Sequence, residues 1–154
     1  MNKCLIIFDF NRTLYCPEKQ QLVDGAIAII KALKLSGHRT SIVSSEMRDA
    51  DRTEKISELG LNLLADKVVI IEGNDKKEAF VECMEEFNTV AENCFVVGDY
   101  QEYDLLPARK LEFRTIWYRQ GKFSDTFYPN FIPEFTISKL NQITKIINIK
   151  FQTT

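Results

Sequence analysis

The chain has 154 residues, 45% hydrophobic, 27% charged and 11% aromatic, which fits one domain and leaves two cramped. Twenty Lys+Arg against 22 Asp+Glu give a formal net charge of −2, so no general attraction for nucleic acid or an anionic membrane is expected. Six Gly and four Pro exclude a low-complexity chain, and roughly 70% of the unfolded surface of a domain this long can be buried without disulfides or a structural metal. Cys4, Cys16, Cys83 and Cys94 contain no C-x-x-C pair, and His38 is the one histidine, which argues against a Cys/His zinc site. No apolar run approaches the length of a signal peptide core or a membrane helix. The expectation is a cytoplasmic protein with reduced thiols.

Short apolar runs alternate with helical patterns along the chain. Leu5-Ile6-Ile7-Phe8 is the first strand, and a turn-like stretch surrounds Pro17. Val23, Ala26, Ile27, Ile30 and Leu33 then mark an amphipathic helix that ends near Ser36-Gly37. A strand at Thr40-Ser41-Ile42-Val43 precedes a polar helix from about Asp49 to Leu59, closed by Gly60. The β-branched run 68–71 is the third strand. Phe80, Cys83, Met84 and Phe87 fall at i, i+3, i+4 and i+7, the core face of a third helix. Asp75 as N-cap with Glu78 at N3 would start it, a capping-box variant. Cys94-Phe95-Val96-Val97 is the fourth strand, a short helix runs from Asp104 to about Leu111, and Thr115-Ile116-Trp117-Tyr118 is the fifth strand. A final helix carries Leu140, Ile143 and Ile147.

Strands apolar on both faces and separated by helices predict a three-layer, doubly wound parallel α/β sheet of five or six strands. No repeat or linker interrupts it, so residues 1–154 read as one domain with a core of about 3–147. Ligands bind such sheets at the carboxyl ends of the strands. Those ends deliver Asp9, Asn11 and Thr13, then Ser44 and Ser45, then Gly98-Asp99 with Asp104 five residues on. Carboxylates and hydroxyls converging on one crevice suit a hard cation such as Mg²⁺ and a phosphate. Lys76 and Lys77 stand in the first turn of the third helix, where the macrodipole disfavours positive charge. A lysine there either reaches over the strand ends to a bound phosphate or is a solvated surface charge.

In this order the residues resemble the haloacid dehalogenase-like (HAD) superfamily of phosphotransferases and hydrolases over about residues 3–120. The strand followed by D-x-D-x-T-[LV] is similar to Leu5-Ile6-Ile7-Phe8-Asp9-Phe10-Asn11-Arg12-Thr13-Leu14. The strand ending in Ser or Thr matches Ser41-Ile42-Val43-Ser44, and the helix-opening lysine matches Lys76, with Lys77 the alternative. Gly98-Asp99 followed by Asp104 matches the fourth motif, and the Phe135-to-Ile143 stretch fits the family's last strand and helix. The resemblance implies Asp9 as nucleophile, forming an aspartyl-phosphate. It implies Mg²⁺ held by Asp9, the backbone carbonyl of Asn11 and Asp99, with Asp104 completing or bracing the site. Ser44 and Lys76 would bind phosphoryl oxygens, Thr13 would support the loop, and Arg12 and Ser45 are further candidates for substrate contact.

Position 11 departs from the family, whose phosphatases carry a second Asp there as general acid and base. An amide has no titrating proton at useful pH, and losing this catalysis typically costs about 10²–10⁴-fold. Four explanations compete: a slow phosphatase for substrates with good leaving groups, a pseudo-enzyme that binds a phosphorylated ligand or partner, another proton carrier (Glu46, Glu18 or a partner's residue), or an Asn introduced to trap an intermediate. Both places where the family inserts cap domains are empty, which implies an open site, a phosphorylated substrate that can be macromolecular, or a homo-oligomer whose neighbours act as lid. The aromatic segment 121–133 either lines the substrate or folds back over apolar surface. Arg48, Arg52 and Lys55 read as a solvated face before they read as contacts. His38 lies on the edge away from the strand ends, and Cys4 and Cys94 read as packing thiols.

Overall fold

Strand β1 (Leu5–Phe8) is buried along its whole length. In the computed structural model, which describes residues 3–45 and 52–152, it is the axis about which the rest is ordered. A hairpin of β2 (Tyr15–Cys16) and β3 (Gln21–Leu22) follows, then α1 (Ala26–Leu35), β4 (Arg39–Ser45), α2 (Arg52–Glu58), α3 (Leu61–Leu64) and β5 (Lys67–Ile71). The second half carries α4 (Lys77–Glu86), β6 (Cys94–Gly98), α5 (Leu106–Lys110), β7 (Arg114–Tyr118), β8 (Phe135–Ile137) and α6 (Gln142–Gln152). Six of these strands form one sheet in the order β5-β4-β1-β6-β7-β8, every pairing parallel. The chain winds outward from β1 in both directions, the Rossmann-like arrangement, and the crevice falls where the order reverses, between β1 and β6.

Alternation along β1 supplies two cores. Ile6 and Phe8 pack with Ile29, Ile30 and Leu33 of α1 and with Ile143 and Ile147 of α6. Leu5 and Ile7 face the other way, onto Phe80 and Cys83 of α4 and Ala108 of α5. The result is three layers, helix–sheet–helix. Cys4 and Cys94 are buried as expected, one in each core. No helix among the described residues is long and apolar enough to cross a membrane.

Gly37 closes α1 with φ +86°, while His38 N–H donates to the Leu33 carbonyl and Gly37 N–H to that of Lys34, a Schellman end. His38 Nδ1 in turn accepts a hydrogen bond from Cys4 N–H at 3.0 Å, and burial lowers its pKa. It is a structural acceptor far from the strand ends.

Several boundaries correct the sequence reading. α4 begins at Lys77 with Lys76 as its N-cap. Asp75 instead accepts from the Lys77 amide at 3.0 Å, an Asx turn that takes over the capping role. The helix expected from Asp104 is a π-helical turn, Gln101–Leu105, running into α5. Pro107, in the first turn of α5, has no N–H to donate back into that turn. α6 starts after Leu140, which is buried in the preceding turn. Asp49, the expected start of the second helix, lies outside the described residues, as do Glu46 and Arg48; α2 is described from Arg52. The β2–β3 hairpin and α3 have no counterpart in the sequence pattern, because elements of two and four residues carry no periodicity.

Candidate active site

At the crevice, Asp9 N–H continues the β1 ladder by donating to the Val97 carbonyl at 2.9 Å. This sets the Asp9 carboxylate beside the end of β6. Oxygens of Asp9, Asp99 and Asp104 lie within 4.8 Å of one another. Lys76 Nζ donates to Asp9 Oδ1 at 2.8 Å and to Asp104 Oδ1 at 2.7 Å. Lys76, Asp99 and Asp104 are each 3% exposed, whereas the Asp9 side chain keeps 12% of its surface open. Of the two candidate lysines, Lys76 reaches the carboxylates.

Each group is held from behind. Tyr100 N–H donates to Asp104 Oδ2 at 3.1 Å, within the π-turn that swings Asp104 back toward β6, a use of π geometry common at functional sites. Trp117 Nε1 donates to the Asp99 carbonyl at 2.9 Å. Gly98 is required by contact rather than conformation: a Cβ there would stand 2.4 Å from Asp104 Cβ. Gly98→Ala is therefore expected to cost about 1–3 kcal/mol of stability through overpacking, read as a lower urea midpoint, and to move Asp104 off Lys76.

The electrostatics follow from three carboxylates sharing one ammonium. Burial, then repulsion from Asp9 and Asp104, pushes Asp99 far above the usual carboxylate range. Burial and Asp9 raise Asp104 as well, against the pull of Lys76. Burial opposes the charge on Lys76, but Asp104 and Asp9 outweigh it and hold the amine above its ordinary pKa. Asp99 Oδ2 is buried with no hydrogen-bond partner among the described residues. An all-oxygen donor set with an orphaned carboxylate oxygen and excess negative charge fits a hard divalent cation such as Mg²⁺.

Asn11, Arg12 and Ser45 line the same cavity of about 260 Å³, with the Ser45 hydroxyl donating to the Gly73 carbonyl. Ser44 is fully buried, and its Oγ accepts from Arg52 Nη1 at 2.5 Å. Thr13 is fully buried and does not line the cavity, and its Oγ1 has no hydrogen-bond partner among the described residues. Arg52, expected on a solvated face, lines the cavity with its guanidinium over Phe10 at 5.7 Å, a correction that only packing reveals. Asn74 and Tyr103 also line it, and neither carried a motif signal. Glu18 accepts from Arg12 Nε at 2.7 Å. A backbone hydrogen bond and Arg12 keep its carboxyl below the usual range, which suits an acceptor and not a proton donor.

The 121–133 segment divides between its two expected roles. Phe123 stacks on Tyr100 with ring centroids 4.3 Å apart and borders the cavity. Phe131 folds back onto the core beneath the Arg109 guanidinium at 4.9 Å.

A family model described as haloacid dehalogenase-like hydrolase matches residues 7–118. The chain is similar to a glyceraldehyde 3-phosphate phosphatase of Pyrococcus furiosus, 28% identical over 131 residues, 81% of this chain and 54% of that protein. It thus spans about half the length of that curated relative. Among solved structures it is similar to a HAD-hydrolase from Bacillus subtilis bound to magnesium, with TM-score 0.77, 14% identity and coverage of 96% and 100% of the two chains. A D,D-heptose 1,7-bisphosphate phosphatase from B. bronchiseptica complexed with magnesium and phosphate gives TM-score 0.77 and 14% identity, covering 96% and 99%.

Proposed function

The chain belongs to the haloacid dehalogenase-like hydrolase family, and on that premise we propose that it is a Mg²⁺-dependent phosphohydrolase acting through an aspartyl-phosphate on Asp9. The observation that carries this reading is the Lys76 ammonium bridging Asp9 and Asp104 with Asp99 in reach. Asp9 is the most open of the three carboxylates, so it is the one that can meet phosphorus. Bound by Asp9, Asp99 and the Asn11 carbonyl and braced by Asp104, Mg²⁺ would supply the positive charge that lets a carboxylate approach a phosphate dianion. Lys76 turns toward the phosphoryl oxygens, and Arg52, oriented by Ser44, offers a second cationic donor. Ser45 lines the phosphate's approach, and Thr13 supports the loop from below. A phosphorylated small molecule is the substrate class that the name of the curated relative supports.

Asp9→Asn is expected to abolish phosphate release while Mg²⁺ still raises the melting temperature. Asn11 favours one second reading, a module that binds a phosphorylated ligand without turning it over. Ligand-dependent stabilisation with no phosphate release from the unaltered chain would decide for it.

A pH dependence follows from the raised carboxyls. Asp99 and Asp104 bind protons more tightly folded than unfolded, so their contribution to stability is full below about pH 4, the unfolded value, and is lost as pH rises through the folded values. In chelator, stability is expected to fall from pH 5 to pH 8, by up to about 1.4 kcal/mol per pH unit for each group still protonated when folded. Mg²⁺ displaces those protons, so adding it should flatten the slope. Urea midpoints at several pH values, with and without Mg²⁺, check this; a midpoint rising with pH in chelator would contradict it.

A further inference from the structure

Asn11 lines the cavity at the position where the resemblance puts the acid for the leaving oxygen, and an amide cannot supply that proton. An alkoxide resembles hydroxide, a strong base whose conjugate acid scarcely ionises in water, and leaves slowly unprotonated. A phosphate oxygen leaves as a stable anion, since its conjugate acid ionises near about 6. The surroundings of Asn11 suit the second kind of leaving group. Arg12 follows it with φ +63°, a left-handed conformation that a non-glycine residue keeps only where its neighbours hold it. Its guanidinium is fixed by Glu18 and lies 5.6 Å from the Phe123 centroid, yet it keeps 24% of its side-chain surface open.

Beyond Arg12 lies a second cavity of about 820 Å³ between the β2–β3 hairpin and the chain leaving β7. Arg12 lines both cavities, and the Gly121–Phe123 turn gives Phe123 to the first and Lys122 to the second. Leu22, Val23 and Tyr118 supply apolar lining, while Asp24 and Gln120 offer groups for hydroxyls. The volume lies in the range of small-molecule pockets, about 300–1,000 Å³.

We propose that the substrate is an organic diphosphate: its terminal phosphoryl group goes to Asp9, its inner phosphate is received by Arg12 and Lys122, and its organic part, of nucleoside size, fills the larger cavity. This rests on the phosphohydrolase reading. In the first step an Asp9 oxygen bonds to phosphorus and the bridging P–O bond breaks, its electron pair leaving on the inner phosphate, so no proton is needed. Water then attacks the aspartyl-phosphate, the P–O bond to Asp9 breaks, inorganic phosphate leaves and the water's proton passes to solvent.

Because kcat/KM reports the transfer to Asp9 and not the later hydrolysis, it is the quantity to compare for ADP, AMP and acetyl phosphate with Mg²⁺. The unaltered protein is expected to prefer ADP to AMP by about 100-fold or more and to prefer ADP to the much smaller acetyl phosphate. Arg12→Gly, which keeps the left-handed backbone accessible, and Lys122→Ala should each lower the ADP value by about tenfold with the melting temperature retained. Asn11→Asp should raise the AMP value by about 10²–10⁴-fold. Equal use of AMP and ADP, a preference for acetyl phosphate, or an ADP value unmoved by both cation variants overturns the diphosphate proposal and leaves the phosphohydrolase standing. Inertness of both the unaltered protein and Asn11→Asp on all three overturns the phosphohydrolase reading itself.

Discussion

Asn11→Asp is expected to raise the steady-state hydrolysis of an alkyl phosphate such as glycerol phosphate by about 10²–10⁴-fold, the range that positioned general acid–base catalysis supplies. The residue lines the cavity with Asp9 and Asp99, so a carboxyl there meets both the leaving oxygen and the incoming water. Two steps are affected. On the proposed mechanism, with Asn11 the leaving group would depart unprotonated, and the aspartyl-phosphate would wait for a water that no side chain deprotonates. The unaltered protein should therefore release about one equivalent of p-nitrophenol rapidly from p-nitrophenyl phosphate and then slow, the burst expected of an accumulating covalent intermediate. Asn11→Asp should remove the burst by speeding the second step. A variant no faster than the parent on either substrate would mean that position 11 does not govern the proton.

The second large effect concerns Lys76. Its ammonium is the one cation within hydrogen-bond distance of Asp9 and Asp104 among the described contacts, and it is 3% exposed. Removing one partner of a buried ionic cluster leaves charge without compensation and costs about 3–5 kcal/mol. Lys76→Met keeps the apolar stem and deletes the charge, so it isolates that term. In chelator the variant is expected to lose stability in this range at pH 8 and less at pH 5, where the carboxyls take up protons instead. Mg²⁺ should then stabilise it more than it stabilises the parent, because the cation replaces the missing ammonium. Phosphate release should be lost in either case. Lys76→Arg is not expected to rescue, since a planar fork cannot take the place of a compact ammonium between two carboxylates. A parent-like urea midpoint for Lys76→Met in chelator at pH 8 would show that the bridge contributes nothing.

Much of this protein is legible without coordinates. Runs such as Leu5-Ile6-Ile7-Phe8 and Cys94-Phe95-Val96-Val97 read as strands buried on both faces, and their alternation with helices indicates a parallel doubly wound sheet that covers them. Once the sheet is parallel, Asp9, Asn11, Asp99 and Asp104 must gather at its carboxyl edge, because that is where chain order places strand ends. What stays hidden depends on contacts between segments distant in the chain. Whether Lys76 or Lys77 reaches Asp9, 67 residues away, turns on where α4 begins, and Asp75 moves that start by one residue. Arg52 looks like any solvated helix charge until Ser44 and Phe10 are set against it. Asp104 meets Lys76 only through a π-turn that no periodicity announces, in the space left by the missing side chain of Gly98.

Local pattern thus determined the fold class and the identity of the acidic cluster, since each follows from chemistry and spacing within a few residues, whereas the departure at Asn11 is visible only against the family resemblance. Tertiary structure alone decided which lysine bridges the carboxylates, that Arg52 joins the site, and that a second cavity opens beyond Arg12. Each of these is settled by packing free energy summed over distant segments, and a periodicity confined to one segment carries no record of it.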